Sequence, residues 1–270
     1  MRVSALPRAL ALRGDVEMAL GQYDAARVAF EAAHGAAETA GALGVSVYAQ
    51  ASVARSALRA GAVDEAQEIA DDLFGKWKDR ADEDREILRA LGSVTGVLGH
   101  VAARKSAFQD ATEYYEVSRE YRRRAGDGIG ASMATLGIGN CALFLSEFDA
   151  AAQSYREAIT EAQQIGYRRG IAIGKTNAGD VFIQKEDFEQ ALSELREAEE
   201  IFRRLGARDM LAETLRLLAL ALAAEDDLRA AEEAAEESLS LAEEFGQAPV
   251  AAGATKALED IRQQRAKLKS

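Results

Sequence analysis

Apolar residues recur along this chain with the spacing of one helix face. Ile138, Cys141, Ala142 and Leu145 follow the i, i+3, i+4, i+7 pattern. After a short polar break, a second apolar face contains Phe148, Ala151, Ala152, Tyr155, Ala158 and Ile159. The same pattern returns over residues 188–202. It predicts pairs of amphipathic helices joined by short turns.

The helix pairs repeat with a period of about forty residues. One position of each pair, which we call the anchor, is occupied by Tyr23, Val63, Phe108, Phe148, Phe188 and Leu228. Alanine stands three residues after every anchor, and glycine or alanine stands nine residues before it. A glycine also lies eighteen residues after five of the six anchors. These series share one register and therefore predict six copies of a helical hairpin.

The glycines of these series predict close packing and helix ends. Gly139 lies inside a predicted helix, where glycine costs about 1 kcal/mol relative to alanine. We interpret it as the point where the first helix of the hairpin crosses the second, opposite Ala151. The glycines after the second helices, such as Gly166, are typical of helix C-termini. Because a side chain at Gly139 would push two helices apart, its role is predicted to be structural.

The small residue, the anchor and the following alanine resemble the tetratricopeptide repeat, in a variant of about forty residues. The resemblance implies an all-α fold, a right-handed superhelical solenoid of about six helical hairpins plus a C-terminal capping helix. It covers residues 1–270 as a single domain. The repeats are expected at about 4–41, 43–80, 85–126, 128–166, 168–206 and 208–246, with the capping helix at 249–267. Trp77 lies in the longest connection, where it could be an exposed anchor for a partner; we predict instead that it covers the gap left by the irregular second repeat.

In proteins of this family the first helix of each hairpin lines a concave groove, where ligands generally lie. Carried over residue by residue, the resemblance implies a partner-binding groove of Arg8, Tyr48, Arg55, Arg59, His100, Arg104, Met133, Leu136, Asn140, Phe144, Ile173, Thr176, Asn177, Asp180, Gln184 and Arg216. Its N-terminal part holds four arginines and a histidine against Asp15 alone. Such a groove would attract a partner peptide or helix with an acidic segment. The alternative is that the arginines are solvated charges and the apolar residues pack against adjacent repeats.

Chaperone-binding members of the family hold a C-terminal carboxylate with lysine, asparagine and arginine side chains. Here Asn140 and Asn177 match the two asparagines, whereas Leu136, Glu213 and Leu217 replace the cations. A carboxylate would lose its water there without gaining a positive partner. We therefore expect the asparagines to hold a peptide backbone rather than a chaperone tail.

Composition and charge narrow the range of partners. Of the 270 residues, 48% are hydrophobic and 29% are charged, which is ample for a packed core. The formal net charge of -12 makes nucleic acid and anionic membranes poor partners. A single cysteine and the lack of any long apolar run lead us to expect a cytoplasmic protein.

Catalytic chemistry has little support in the sequence. Cys141 falls on the interior face, and His34 and His100 lie too far apart for a metal motif. The glycines of GIGASMATLGIG lack the lysine of a P-loop. We interpret the arginine run Arg122–Arg124 as a complement to a helix dipole rather than as a nucleic-acid site. We expect no enzyme activity, no cofactor and no metal.

Two functions stay open at this point. The leading hypothesis is a protein–protein interaction scaffold that binds a partner peptide or helix in its groove. The alternative is a regulatory or sensor domain of a larger bacterial signalling protein, which binds a small molecule or signalling peptide. The first hairpin has no comparable cap, so it is either polar enough by itself, preceded by another domain, or paired in a homodimer. A small molecule needs an enclosed pocket, whereas a peptide needs an open groove.

Overall fold

The chain is helical throughout its described part. The computed structural model describes residues 5–267, apart from the side chains of residues 81–83. The α-helices are α1 (Leu6–Ala19), α2 (Tyr23–Ala40), α3 (Leu43–Arg59), α4 (Val63–Trp77), α5 (Arg85–Arg104), α6 (Phe108–Arg124), α7 (Gly128–Phe144), α8 (Phe148–Gln164), α9 (Arg168–Gln184), α10 (Phe188–Leu205), α11 (Arg208–Ala224), α12 (Leu228–Glu244) and α13 (Ala248–Lys267). A 3-10 segment, Lys78–Glu83, lies between α4 and α5, and residues 5–267 contain no strand. The predicted all-α fold of about six hairpins and a final helix is confirmed.

The chain divides into two compact units. Unit 1 ends at Cys141 and unit 2 begins at Ala142, inside α7. In unit 1 each helix from α1 to α5 contacts the next one, and the first helices α1, α3 and α5 also contact each other in order. In unit 2 the same holds for α8 to α13, with α9, α11 and α13 in contact. The single domain over residues 1–270 stays a prediction.

Each unit has its own hydrophobic core. In unit 1, Trp77 packs with Leu73 and Leu91 and keeps 5% of its surface exposed. It is therefore a core residue beside the longest connection. In unit 2 the core includes Leu195 and Phe202. Among the described helices, none combines the length and the hydrophobicity that crossing a lipid bilayer requires.

The glycine positions inside the first helices receive a large side chain of the second helix. A Cβ at Gly14 would lie 2.5 Å from Phe30 Cε1, and one at Gly179 would lie 2.5 Å from Leu195 Cγ. A Cβ at Gly99 would lie 2.8 Å from Tyr115. The nearest partner at these three positions is thus the residue seven after the anchor. The predicted position of Gly139 opposite Ala151 stays a prediction. Because glycine has no Cβ, the first helix leaves room for an aromatic ring or a leucine side chain. Any other residue at these positions would collide with that side chain.

Two positions of the hairpin adopt the left-handed backbone conformation, one of them in all six hairpins and the other in five. Gly41, Gly126, Gly166, Gly206 and Gly246 have φ between 65° and 69° and follow the second helices, as predicted. The other position lies two residues before the anchor and is occupied by Gly21, Gly61, Ser106, Ser146, Glu186 and Asp226. Only glycine adopts this conformation without a steric cost, so the last four residues carry strain.

Replacing Glu186 by glycine is expected to stabilise the protein. Glu186 has φ of 58° in the turn between α9 and α10. Relief of the steric cost outweighs the added freedom of glycine in the unfolded chain, with a net gain of about 0.5 kcal/mol. Urea unfolding followed by circular dichroism measures the gain. Glu186→Ala is the matched control, and an equal gain in that variant would show that the loss of the carboxylate, not backbone strain, is responsible.

Candidate functional site

Two adjoining depressions lie where the first helices of unit 1 meet. The larger is an open pocket of about 550 Å³ beside Asp15, Tyr48, Arg55 and Arg89. The smaller, which we call the arginine cleft, has a volume of about 110 Å³. Its polar lining consists of Arg55, Arg59, Ser93, His100, Ser118 and Arg122, together with the Tyr115 hydroxyl. Arg55, Ser93 and Arg122 belong to both depressions, which therefore form one continuous surface.

Two of the predicted basic residues are already paired with carboxylates. Arg8 Nη2 lies 2.6 Å from Glu86 Oε1, and Arg55 Nη2 donates to Asp15 Oδ1 at 2.9 Å. The Tyr48 hydroxyl also donates to Asp15, at 2.8 Å from each carboxylate oxygen. The expected basic wall is thus partly neutralised, which corrects the count of uncompensated charges made from the sequence.

Three other arginines of unit 1 have no carboxylate partner among the described residues. Arg59 ends α3, while Arg89 and Arg104 lie on α5. All three are exposed, and no ion pair or hydrogen bond of their side chains is found in the described part of the chain. Arg59 lines the arginine cleft and Arg89 lines the larger pocket. The groove therefore keeps a positive charge after its internal pairs are taken into account.

Arg122 enters the groove from the second helix of its hairpin, α6. Its Nε donates to Gly92 O at 3.1 Å and to Ser118 Oγ at 3.2 Å, and its Nη1 donates to Asp127 Oδ2 at 2.8 Å. A Cβ at Gly92 would lie 2.6 Å from Arg122 Cγ, and one at Gly130 would overlap Arg122 Nη1. These two glycines, on α5 and α7, leave the passage through which the guanidinium reaches the inner side.

The Arg122–Asp127 pair is largely buried. Its side chains are 19% and 17% exposed. Burial lowers the pKa of Arg122, while Asp127 opposes that shift, and an arginine stays protonated at neutral pH even so. The site therefore contains a fixed positive charge whose position is set by three acceptors.

His100 is neutral at physiological pH. Burial among neighbouring side chains lowers its pKa from 6.5 to about 4, although part of the residue stays exposed. The guanidinium groups of Arg59, Arg104 and Arg122 act in the same direction. The His100 Nδ1 atom and the Tyr115 hydroxyl are hydrogen-bonded. His100 thus supplies a polar but uncharged group to the cleft.

This shift predicts a pH dependence of stability. The unfolded chain takes up a proton on His100 near pH 6.5, whereas the folded chain resists protonation until about pH 4. The stability that depends on neutral His100 is therefore fully present above pH 6.5 and is lost as the pH falls towards 4. Melting temperatures at several pH values between these limits should fall more for the wild type than for His100→Gln. If the melting temperatures of the two proteins fall equally with pH, the lowered pKa of His100 is contradicted.

The other predicted residues of unit 1 divide between surface and core. Met133 is 41% exposed and lines the cleft, and Asn140 is exposed. Leu136 is only 2% exposed, so its placement in the groove was wrong. Cys141 is buried as predicted, and burial raises its thiol pKa, which disfavours a nucleophilic role. In the described residues no three His, Cys, Asp or Glu side chains come together as metal ligands would.

The inner side of unit 2 has a different character. Arg216 donates to both oxygens of Glu213, at 2.8 and 2.7 Å, and burial raises the pKa of Asp180. Gln184 is exposed and donates to Asp180 at 3.4 Å. The one guanidinium group, that of Arg216, is thus matched by two carboxyl groups, those of Glu213 and Asp180. These three residues together carry no excess of positive charge.

Packing also decides which of the predicted apolar and amide side chains of unit 2 are exposed. Ile173 packs against the core, Asn177 is half-buried and Phe144 is 69% exposed. Thr176 is 6% exposed and its hydroxyl lies 2.8 Å from that of Thr214 on α11, so its placement in the groove was wrong. A side chain held between two first helices cannot face a ligand.

Arg89 and Arg122 line the two depressions but were absent from the sequence prediction. Arg122 was assigned to the helix dipole because it lies in the last turn of a second helix. A signal was present in Gly92, Gly96 and Gly130, which fall outside the glycine positions of the repeat. Unexplained helical glycines mark places where another side chain passes close to the backbone.

Two models of one family match the sequence. Both describe the tetratricopeptide repeat, and they match residues 7–38 and 170–244. The first match covers α1 and α2, and the second covers most of α9 to α12. No curated protein sequence matches the chain at a significant level.

Several solved structures are similar to this one. The BtubC (BKLC) protein of P. vanneervenii is 15% identical with a TM-score of 0.63, and the match covers 91% of this chain and 93% of that one. A signal transduction ATPase with numerous domains and a tetratricopeptide repeat sensor, from Pyrococcus horikoshii, is 15% identical with a TM-score of 0.74 over 96% of this chain, which spans only 39% of that protein. A Rap protein complexed with competence and sporulation factor is 12% identical with a TM-score of 0.66, covering 99% and 78% of the two chains. At these identities the likeness concerns the fold alone.

Proposed function

We propose, from the premise that this chain belongs to the tetratricopeptide-repeat family, that it is a protein-interaction scaffold whose unit 1 groove binds an acidic segment of a partner. The observation that carries the proposal is the set of arginines without a carboxylate partner among the described residues. Arg59 lines the arginine cleft, Arg89 lines the larger pocket, and Arg104 is close enough to His100 to lower its pKa. The partner is a protein segment rather than nucleic acid or membrane, and the role is binding without catalysis.

The contrast between local and total charge supports an acidic ligand. The chain has a formal net charge of -12, so an acidic partner is repelled at most of its surface. Attraction is confined to the groove, where the internal pairs of Arg8 and Arg55 leave other guanidinium groups uncompensated. Such an arrangement directs an acidic segment to one register and raises its association rate at low salt.

The shape of the site supports a peptide. Both depressions are open to solvent and join along one surface, as an extended segment requires. Met133 adds an exposed apolar side chain at the edge of the cleft. The similar Rap protein complexed with competence and sporulation factor supports ligand binding by a fold of this kind.

A sensor domain is the second candidate. It is favoured by one observation, the similarity to the signal transduction ATPase with a tetratricopeptide repeat sensor. In that case the same groove would take a signalling peptide or a small molecule. The open pockets favour the peptide within this alternative as well.

Fluorescence anisotropy with labelled peptides tests the scaffold proposal. The probe is a twelve-residue peptide of alternating glutamate and leucine, and its glutamine counterpart is the neutral control. The variant Arg59→Glu/Arg104→Glu is expected to bind the acidic peptide at least about tenfold more weakly, a loss of about 1.4 kcal/mol. The affinity of the wild type should fall as salt is added, since exposed charges are screened.

A matched variant separates the groove from the total charge. Arg156 and Arg196 are exposed arginines on α8 and α10 of unit 2, and Arg156→Glu/Arg196→Glu changes the net charge by the same amount. This variant should bind like the wild type. Equal weakening in both variants, or equal binding of the glutamine peptide, would contradict the proposal.

A further inference from the structure

We infer that the arginine cleft is a subsite for a single oxyanion, either a carboxylate or a phosphoryl group, with Arg122 as its fixed donor. The inference rests on the proposed function, because the oxyanion would belong to the bound segment. It adds a defined point of recognition to a groove that otherwise attracts acidic groups only through its overall charge.

The cleft has hydrogen-bond donors that the described residues do not use. Arg122 Nη2 makes no hydrogen bond in this part of the chain and lies 3.7 Å from the position of a Cβ at Gly96, which lines the cleft. Arg55 Nε is buried and also has no partner among the described residues. Arg59 contributes a whole guanidinium group without an acceptor. An oxyanion in the cleft would have Arg122 and Arg59 as donors, and no carboxylate side chain is found in the cleft lining.

The two guanidinium groups that define the cleft are held in place before any ligand binds. Arg122 is fixed by Gly92, Ser118 and Asp127, and Arg55 is fixed by Asp15 and by Ser52 Oγ at 3.3 Å. Binding therefore does not have to order these long side chains, which lowers its entropic cost. Asp15 and Asp127 line the larger pocket rather than the cleft, and their carboxylates act as positioning groups for the two arginines.

The size and chemistry of the cleft limit the ligand to one small charged group. A volume of about 110 Å³ suits a carboxylate or a phosphoryl group but leaves no room for an attached ring. The planar fork of arginine matches both kinds of oxyanion. The neutral His100 and the hydroxyl of Ser93 add polar contacts without adding charge. These residues differ from the asparagine positions at which a chaperone tail would bind in this family.

Gly96 offers a way to close the cleft without removing any arginine. A Cβ there would lie 3.4 Å from Ser118 Oγ and 3.7 Å from Arg122 Nη2, which is ordinary contact, so Gly96→Ala should fold normally. Gly96→Leu should also fold, and its longer side chain should fill the cleft. The two variants form a matched pair that differs in cleft volume.

The test follows the arginine Nε–Hε signals by nuclear magnetic resonance during titration with inorganic phosphate and, separately, with acetate. The inference predicts saturable shifts of the Arg55 and Arg122 signals in the wild type and in Gly96→Ala, and at least about tenfold weaker binding in Gly96→Leu. Tighter binding of phosphate assigns the subsite to a phosphoryl group, and tighter binding of acetate assigns it to a carboxylate. Absence of saturable shifts, or identical titrations of Gly96→Leu and the wild type, would overturn the inference.

The acidic peptide separates this inference from the proposed function. If the peptide binds the wild type and Gly96→Leu equally well, the scaffold proposal stands and the oxyanion subsite is rejected. If phosphate or acetate binds the cleft but no acidic peptide binds, the subsite stands and the scaffold proposal is rejected.

Discussion

Asp127→Asn is expected to lower the free energy of unfolding by about 3 kcal/mol, because it leaves the buried Arg122 guanidinium without its counter-charge. The asparagine keeps nearly the same volume and a side-chain oxygen. It can therefore still accept the hydrogen bond that Gly130 N donates to Asp127 Oδ1 at 3.0 Å at the start of α7. The loss is thus electrostatic. The limited exposure of the pair, 19% and 17%, favours the lower end of the range for buried ion pairs.

A double-mutant cycle tests this explanation. The variant Arg122→Met/Asp127→Asn removes both charges and should be more stable than Asp127→Asn alone, since no buried charge is left unpaired. Urea unfolding followed by circular dichroism gives the four stabilities. If the double variant is less stable than either single variant, by the sum of their effects, Arg122 and Asp127 are not coupled and the interpretation of the site is wrong.

Gly179→Ala is expected to destabilise unit 2 by about 2 kcal/mol through overpacking. The added Cβ would lie 2.5 Å from Leu195 Cγ and 2.7 Å from its Cδ2, and Leu195 is fully buried. The leucine cannot move away without disturbing the core around Phe202. This cost exceeds the gain of about 1 kcal/mol that alanine otherwise brings to a helix interior.

Gly35→Ala is the matched control for that prediction. Gly35 lies within α2, is exposed, and a Cβ there would meet no atom within 4 Å. The substitution should raise stability by up to about 1 kcal/mol. Opposite signs in the two variants would support close packing at Gly179, and a gain in both would refute it.

The repeat pattern was sufficient to predict the hairpins because it records constraints that are local. A glycine under Leu195, a glycine with positive φ after α10 and an acidic residue at the start of α10 each act within one hairpin. Their spacing therefore gives helix positions directly.

The groove was harder to predict because a first helix has up to four neighbouring helices. It contacts its own second helix, the preceding second helix and the adjacent first helices, so only part of its surface faces inwards. Thr176 illustrates the point, since its hydroxyl lies against Thr214 of α11. Leu136 likewise lies on a first helix but is buried. Position in the repeat identifies the helix, whereas packing between helices decides which side chains stay exposed.

The net charge of the groove depends on contacts between residues that lie far apart in the sequence. Arg55 pairs with Asp15 from the preceding hairpin, and Arg122 crosses between α5 and α7 because Gly92 and Gly130 have no side chain. His100 looked basic in the sequence but is neutral at physiological pH because of its burial and its arginine neighbours. A count of basic residues along the chain could not include any of these effects.

The most direct test of the account is to locate the bound acidic peptide on the protein. The glutamate–leucine peptide would carry a benzophenone group at one end, and cross-linked residues would be identified by mass spectrometry after irradiation. We predict cross-links around the arginine cleft of unit 1, at Met133 and neighbouring residues of α3 and α5, and their loss in Arg59→Glu/Arg104→Glu. Cross-links confined to unit 2, or spread over the outer helices and unaffected by that variant, would contradict an acidic-segment groove in unit 1.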